Sequence, residues 1–340
     1  MRDAFGQTFD IPPGYLNTAS IGVPPTIVAD AVAAAVQRWR VGADVPPGFD
    51  AHVADARAAF AALVGTDAAH VAIGASASQL VAIAAASVPD GSRVLVPAGE
   101  FTSTTFPFAA QAHRGIKLTE APLAEIPDAM RDHDVLAASV VQSSDGALLD
   151  LAAVRRNREG VTVVLDVTQA LGWLPLADLT WADYVVGAGY KWLMTPRGAA
   201  WMAVHPDVLD RSLPIHANWY AGKDPWQTVY GLPLRLAVDA RRLDLSPTWF
   251  SHVGAAVALP WLASLDLTAV HTHNVGLANQ LLDRLGLPPG DSAIVSVDAD
   301  PARLAAAGIR HSLRAGRVRL SFALSNTPDD VDLVSRALIR

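Results

Sequence analysis

Short runs of β-branched and apolar residues recur along the chain with helix-patterned segments between them. They are RVLVPA (93–98), LAASVVQ (136–142), VTVVLD (161–166), DYVVGA (183–188) and AAWMAV (199–204). A pleated strand points alternate side chains to opposite faces, so a run apolar at every position must be covered on both sides. Strands of that kind alternating with helices make a mostly parallel sheet flanked by helices, which fixes the class as α/β. HVADARAAFAALVG (52–65) supplies one cover, with Val53, Ala56, Phe60 and Leu63 on one helical face and Gly65 as the stop. Beyond about residue 260 a smaller α/β unit follows: SAIVSVDAD as strand, PARLAAAGI as helix, RVRLSFAL as strand and TPDDVDLVSRAL as a last helix capped by Thr327. The expected division is an N-terminal segment over 1–25, a large domain over 26–260 and a small C-terminal domain over 261–340.

Composition narrows the function classes. A chain of 340 residues, 51% apolar, can bury a core of this size. Its net charge of −7 without long basic runs argues against a nucleic-acid surface, which needs clustered Lys and Arg. VAIGASASQLVAIAAASV (71–88) has about the length of a membrane span, but its Ser and Gln residues fit a strand end, a turn and a buried helix better. The start, MRDAFGQTFD, has no apolar stretch behind a basic end, so a cytoplasmic protein is expected. There is no cysteine, hence no disulfide, thiolate metal site or thiol nucleophile.

In open α/β sheets ligands gather beyond the carboxyl ends of the strands. Four such points carry chemistry. IGASASQL (73–80) is a small-residue turn into a helix, able to offer backbone N–H groups, at Ala75 among others, and the Ser76 hydroxyl to an anion. PAGEFTSTTFPF (97–108) places Phe101 where it can lie on a planar ligand. VVLDVTQAL (163–171) ends an apolar strand with Asp166, a costly place for a carboxylate without a partner, and has Gln169 three residues on. GAGYKWLMTPRG (187–198) holds Lys191, in a chain whose only lysines are at 117, 191 and 223. An ammonium can lose its proton and become a nucleophile, which a guanidinium cannot.

Taken singly, each has a plain reading: a packed helix start, a core phenylalanine, a surface lysine lying over Trp192. Taken together, an anion turn, an aromatic, a buried carboxylate and an amine describe a site for pyridoxal 5'-phosphate. That cofactor needs a lysine to hold its aldehyde, a carboxylate at its pyridine nitrogen and an anion site for its phosphate. No dinucleotide or P-loop motif competes, and His271 and His273 lack the acidic or cysteine company of a metal site, so no metal is expected and both read as surface residues.

The ordered set YLNTASIGVPP (15–25), GASASQLVA, EFTST, LDVTQALG, GYKWL and VRLSFALSNTPDDVD (318–332) resembles the class V aminotransferase family of fold-type I pyridoxal-phosphate enzymes, over nearly the whole chain. That family includes cysteine desulfurases, selenocysteine lyases, kynureninases, isopenicillin N epimerases and carbon–sulfur lyases of the ergothioneine pathway. The resemblance implies that Lys191 forms the Schiff base, Asp166 pairs with the ring nitrogen, Gln169 bonds the ring hydroxyl, Phe101 stacks on the ring, and Ala75 and Ser76 hold the phosphate. It also implies that Arg319 clamps the α-carboxylate of an amino-acid substrate. Gln142 and Ser143 take ring-hydroxyl or substrate-contacting places, Asn17, Tyr190 and Trp219 contact the substrate, and Ser246 reaches the phosphate of a neighbouring subunit in a homodimer.

Two departures matter. Desulfurases of the family receive sulfur on a loop cysteine, which this chain lacks, and GIRHSLRAGRVRL leaves little room for that loop before Arg319. Tyr190 and Phe101 stand where desulfurases carry histidines, closer to the kynureninase-like and carbon–sulfur lyase-like members. The expectation is β-elimination with C–S cleavage, ending in pyruvate and ammonia. An aminotransferase or epimerase on the same cofactor and a cofactor-free binding protein stay open behind it. In the aromatic segment 216–237, Trp219, Tyr220 and Trp226 are either pocket wall or dimer interface.

Overall fold

The structure, a computed structural model, describes residues 1–176 and 178–339. The chain starts with an antiparallel hairpin, β1 (Arg2–Ala4) and β2 (Gln7–Phe9). The apolar runs then form one sheet from β3 (Val71–Gly74), β4 (Arg93–Pro97), β5 (Lys117–Ala121), β6 (Val135–Ser139), β7 (Thr162–Asp166), β8 (Tyr184–Ala188) and β9 (Ala200–Val204). Their order is β3-β9-β8-β7-β6-β4-β5; β4 to β8 pair in parallel, and β9 runs antiparallel to both of its neighbours. β6 to β9 are buried at nearly every position, as two-sided coverage requires.

One cover is the helix Asp50–Val64, which buries Val53, Ala56, Phe60 and Leu63 and ends at Gly65 in the left-handed conformation (φ 79°). The opposite face takes the helix Ala77–Ser87, so the apolar run over 71–88 is β3, a turn and a buried helix. Among the described residues no single helix is long and apolar enough to cross a membrane.

A second, antiparallel sheet is built from β10 (Ile294–Val297), β11 (Ser312–Arg314) and β12 (Arg317–Ser321), ordered β10-β12-β11. β11 and β12 are joined by Ala315 (φ 47°) and Gly316 (φ 77°), two residues in the left-handed region, as a tight hairpin demands. The helix Trp249–Ala263 runs through the boundary expected at 260. The last helix, Pro328–Ile339, starts as expected, but the Asp330 carboxylate, not the Thr327 hydroxyl, does the capping: it accepts from Thr327 N at 3.0 Å and Gly14 N at 2.8 Å.

Candidate active site

The carboxyl ends of β3, β6, β7 and β8 meet at a cavity of ≈ 150 Å³ whose walls include Ser76, Phe101, Ser143, Asp166, Tyr190 and Lys191. Two wider clefts, ≈ 540 and ≈ 610 Å³, open at the other end of the sheet, near the starts of β8 and β7, and hold no lysine. The switch-point rule thus selects the smaller cavity.

Asp166 is the last residue of β7, flanked by Ser139 of β6 and Val186 of β8. It is 5% exposed, accepts from Thr168 N at 2.8 Å and makes only a long contact to the Thr104 hydroxyl at 3.4 Å, so a strong donor can still be added. Lys191 follows β8 in a tight turn closed by Met194 N donating to Lys191 O at 3.1 Å, with Met194 itself at φ 53°. Its amine lies 5.2 Å from the Phe101 ring centre and 5.7 Å from that of Tyr190. At 5% exposure it is not a surface lysine. Burial pushes its pKa down to about 8 against the pull of Asp166, with Arg319, Arg314 and Arg197 adding to the push. Burial also raises the Tyr190 phenol, over whose ring Arg197 sits at 4.8 Å.

Ser76 is the N-cap of the helix Ala77–Ser87, its hydroxyl accepting from Gln79 N at 3.3 Å, so this helix points its positive end into the cavity. Ala75 N donates to Gln79 Oε1 at 3.1 Å. Gln169 is fully engaged: Nε2 donates to Ala19 O (3.0 Å) and Ser143 Oγ (3.1 Å), and Oε1 accepts from Trp192 Nε1 (2.8 Å). Ser143 joins the cavity to Arg319, whose Nη1 donates to the Ser143 carbonyl and hydroxyl. Arg319 is 1% exposed and finds only neutral acceptors, the others being Ser20 Oγ and Ser312 Oγ; burial lowers its pKa to about 10. A buried guanidinium without a counter-ion is costly, and a bound carboxylate would relieve that cost.

Other expected residues lie elsewhere. Gln142 does not line the cavity, because Glu100 takes its amide at 2.9 Å. Trp219 is not at the lysine either: it packs 4.9 Å from Trp226, and Tyr220 and Trp226 both bond Asp50, holding this segment on the far helix. Asn17 stands beside β12, bridged to Ser321, with its side-chain oxygen buried and unpartnered. Ser246 is exposed and apart from the cavity. His271 and His273 are half-buried rather than surface residues, packed on Trp173 and Phe5. No group of residues suited to a metal ion occurs among the described residues.

Sequence reasoning missed Thr168, Thr104, Ser139, Arg197 and Glu100. Glu100 accepts from Phe101 N, Ser139 N, Ser139 Oγ and Gln142 Nε2 at 2.6 to 2.9 Å, so it fixes the loop that presents Phe101, while burial raises its own pKa. Its position directly before Phe101 was the available signal. Thr168 lay between the two residues already singled out.

A buried amine without an acceptor, a strand-end carboxylate with spare capacity, a ring beside the amine and a helix N-terminus fit pyridoxal 5'-phosphate. Together with the mostly parallel sheet, they define a fold-type I enzyme dependent on that cofactor. The chain belongs to the class V aminotransferase family: the model described as aminotransferase class-V matches residues 47–307. It is 26% identical over 234 residues to an uncharacterized aminotransferase, YcbU, of Bacillus subtilis, covering 64% of this chain and 60% of that protein. It is 26% identical over 248 residues to isopenicillin N epimerase of Streptomyces clavuligerus, covering 63% and 58%. The matched region thus spans about three-fifths of those relatives' length. Among solved structures, the cystine C-S lyase C-DES, in complex with its product cysteine persulfide, superposes with a TM-score of 0.84 at 18% identity, covering 95% of this chain and 96% of that one. The cysteine desulfurase CsdA of Escherichia coli does so with 0.81 at 20%, covering 97% and 95%.

Proposed function

We propose that this protein is a lyase that breaks the C–S bond of a cysteine conjugate at the β-carbon. With one water taken up, the products are the thiol, pyruvate and ammonium. Lys191 would hold the cofactor aldehyde, and its amine would carry the substrate α-proton. Asp166 would pair with the pyridine nitrogen, and Phe101 would lie against the ring. Ala75, Ser76 and the helix behind them receive the phosphate. Gln169 would exchange its bond to Ser143 for one to the ring hydroxyl, and Arg319 takes the α-carboxylate. When bound, pyridoxal phosphate supplies the electron sink for the pair left by the α-proton. An amine that is partly neutral near pH 8 suits that proton transfer.

The observation that carries the reading is the β11–β12 hairpin. A two-residue turn, with no cysteine in the chain, leads straight to Arg319, so these 340 residues offer no place for sulfur to be taken up as a persulfide. In the proposed reaction sulfur therefore leaves on the product. Incubating the purified protein with a panel of cysteine conjugates should give equal amounts of pyruvate and thiol without an added 2-oxo acid.

The matches to an aminotransferase and an epimerase favour a second reading, amino-group transfer or α-epimerisation. Turnover that needs a 2-oxo acid, or substrate that loses its chirality without releasing thiol, would replace the first reading with this one. A homodimer is part of the proposal. Tyr230, Leu232 and Val238 are more than 80% exposed on the segment that carries Trp219, and Ser246 stands free to reach the phosphate of a second copy. Sedimentation at micromolar concentration should give twice the chain mass.

A further inference from the structure

The second sheet carries more than one arginine on the face of Arg319. In β11 and β12, Ser312 stands opposite Arg319 and Arg314 opposite Arg317. Opposite residues, and residues two apart on one strand, share a face. Arg314 therefore stands on the face of Arg319, about 7 Å further along the strand direction. The two differ in exposure, Arg319 being buried and Arg314 exposed at the hairpin tip. Arg317 is tied back to Ser296 by two bonds, whereas Arg314 gives a single bond to the neighbouring Leu313 carbonyl. Neither forms an ion pair among the described residues, although acidic residues outnumber basic ones by 33 to 26. Arg314 is also near enough to act on Lys191, Tyr190 and Arg319 by charge alone.

Two anions of the working site already have places, the cofactor phosphate at the Ser76 turn and the substrate α-carboxylate at Arg319. Arg197 lines the same cavity as Ser76 and lies over the Tyr190 ring. Arg314 is left over. A cation set beside two others and a lysine raises the energy of the empty site, and an anion there reverses the sign. The offset of about 7 Å from Arg319 is close to the roughly 6 Å that the five bonds between the two carboxyl carbons of an S-carboxymethyl conjugate span when extended.

We propose that Arg314 selects substrates whose sulfur substituent carries a second carboxylate. This rests on the reading of the cavity as an amino-acid site with Arg319 at the α-carboxylate. The test uses the holoenzyme and two conjugates of the same shape, S-carboxymethyl-L-cysteine and its uncharged amide, S-carbamoylmethyl-L-cysteine. The wild type should favour the carboxylate at least tenfold in kcat/KM, and Arg314→Gln should bring the ratio to within about twofold of one. Arg317→Gln, which removes the same charge from the opposite position, should keep the ratio. Binding of L-glutamate and L-glutamine, which have no sulfur to lose, is read from the visible spectrum and should show the same preference and the same loss. Equal affinities in the wild type, a preference that survives Arg314→Gln, or an equal loss in Arg317→Gln overturns the proposal. If glutamate binds selectively through Arg314 but no conjugate is cleaved, the lyase reading fails and only the assignment of Arg314 to a second carboxylate stands. If no amino acid perturbs the spectrum, both fail.

Discussion

The amine of Lys191 can be tested without any substrate. Burial against the Phe101 and Tyr190 rings, with three arginines nearby, holds its pKa at about 8 in the cofactor-free protein. At pH 7.5 about a quarter of the side chains are then neutral, against about one in a thousand for a solvated lysine. Only the neutral form condenses with an aldehyde, so cofactor uptake should rise with pH to a midpoint near 8. The same displacement has a stability counterpart. Between about pH 8 and 10.5 the unfolded chain binds the proton that the folded chain has released, so stability rises with pH across that window. Below it the cofactor-free protein bears the whole cost, about 3 kcal/mol. Lys191→Met should therefore be more stable than the wild type at pH 7, by up to about 3 kcal/mol, and the gap should close towards pH 10.5. The assay is competitive acylation of Lys191 from pH 6 to 11 after the cofactor is removed with hydroxylamine, paired with urea unfolding at pH 7 and pH 10. Asp166→Asn should lower the labelling midpoint, and Arg314→Ala should raise it. A wild-type midpoint at or above 10, or a Lys191→Met advantage independent of pH, would refute the reasoning.

Asp244 and Arg57 form a buried two-bond ion pair at 2.7 and 3.0 Å, and Asp244 also accepts from Ile73 N beside the Ser76 turn. Asp244→Ala leaves a buried cation and should cost about 3–5 kcal/mol in urea unfolding, whereas the apolar double replacement Arg57→Met with Asp244→Leu should recover most of it. Gly22 gives its N–H to Tyr190 O at 2.9 Å, and a Cβ there would stand 1.9 Å from the Lys191 carbonyl oxygen. Gly22→Ala should displace Lys191 and lower turnover on the order of 100-fold while far-ultraviolet circular dichroism stays unchanged.

What the sequence made legible follows from which residues are costly in place. A carboxylate closing an apolar strand and a lone lysine in a buried run demand a reason, and Asp166 and Lys191 do share one cavity. The direction of β9 was not legible, because AWMAV is buried on both faces like the parallel strands β6 to β8 and carries no mark of its hydrogen-bond pattern. The place of Trp219 was not legible for a different reason. What fixes its segment is Asp50, some 170 residues earlier, bonded to the neighbours Tyr220 and Trp226, and no local pattern points across that distance. Gln142 and Ser143 are adjacent, and one buried acceptor, Glu100, decides that the first turns away while the second faces the cavity.

The stretch from Leu16 to Gly22 explains how the two sheets can share one site. Its backbone joins the second sheet through Leu16 N to Arg310 O and Ser321 N to Leu16 O. Ala19 N bonds the Ser321 hydroxyl, and Ala19 O accepts from Gln169. Ser20 accepts from Arg319, and Gly22 N bonds the residue before Lys191. Arg319, Gln169 and Lys191 are thus tied through one short strand of chain, mostly by main-chain groups, which is why residues as plain as Ala19 and Gly22 can serve there. A shift of the second sheet when a carboxylate settles on Arg319 would pull on residues 16–22 and reach the turn that carries the amine. Substrate binding at Arg319 would then be coupled to the position of Lys191 through this segment, with the Gly22 N–H to Tyr190 O bond as its last contact.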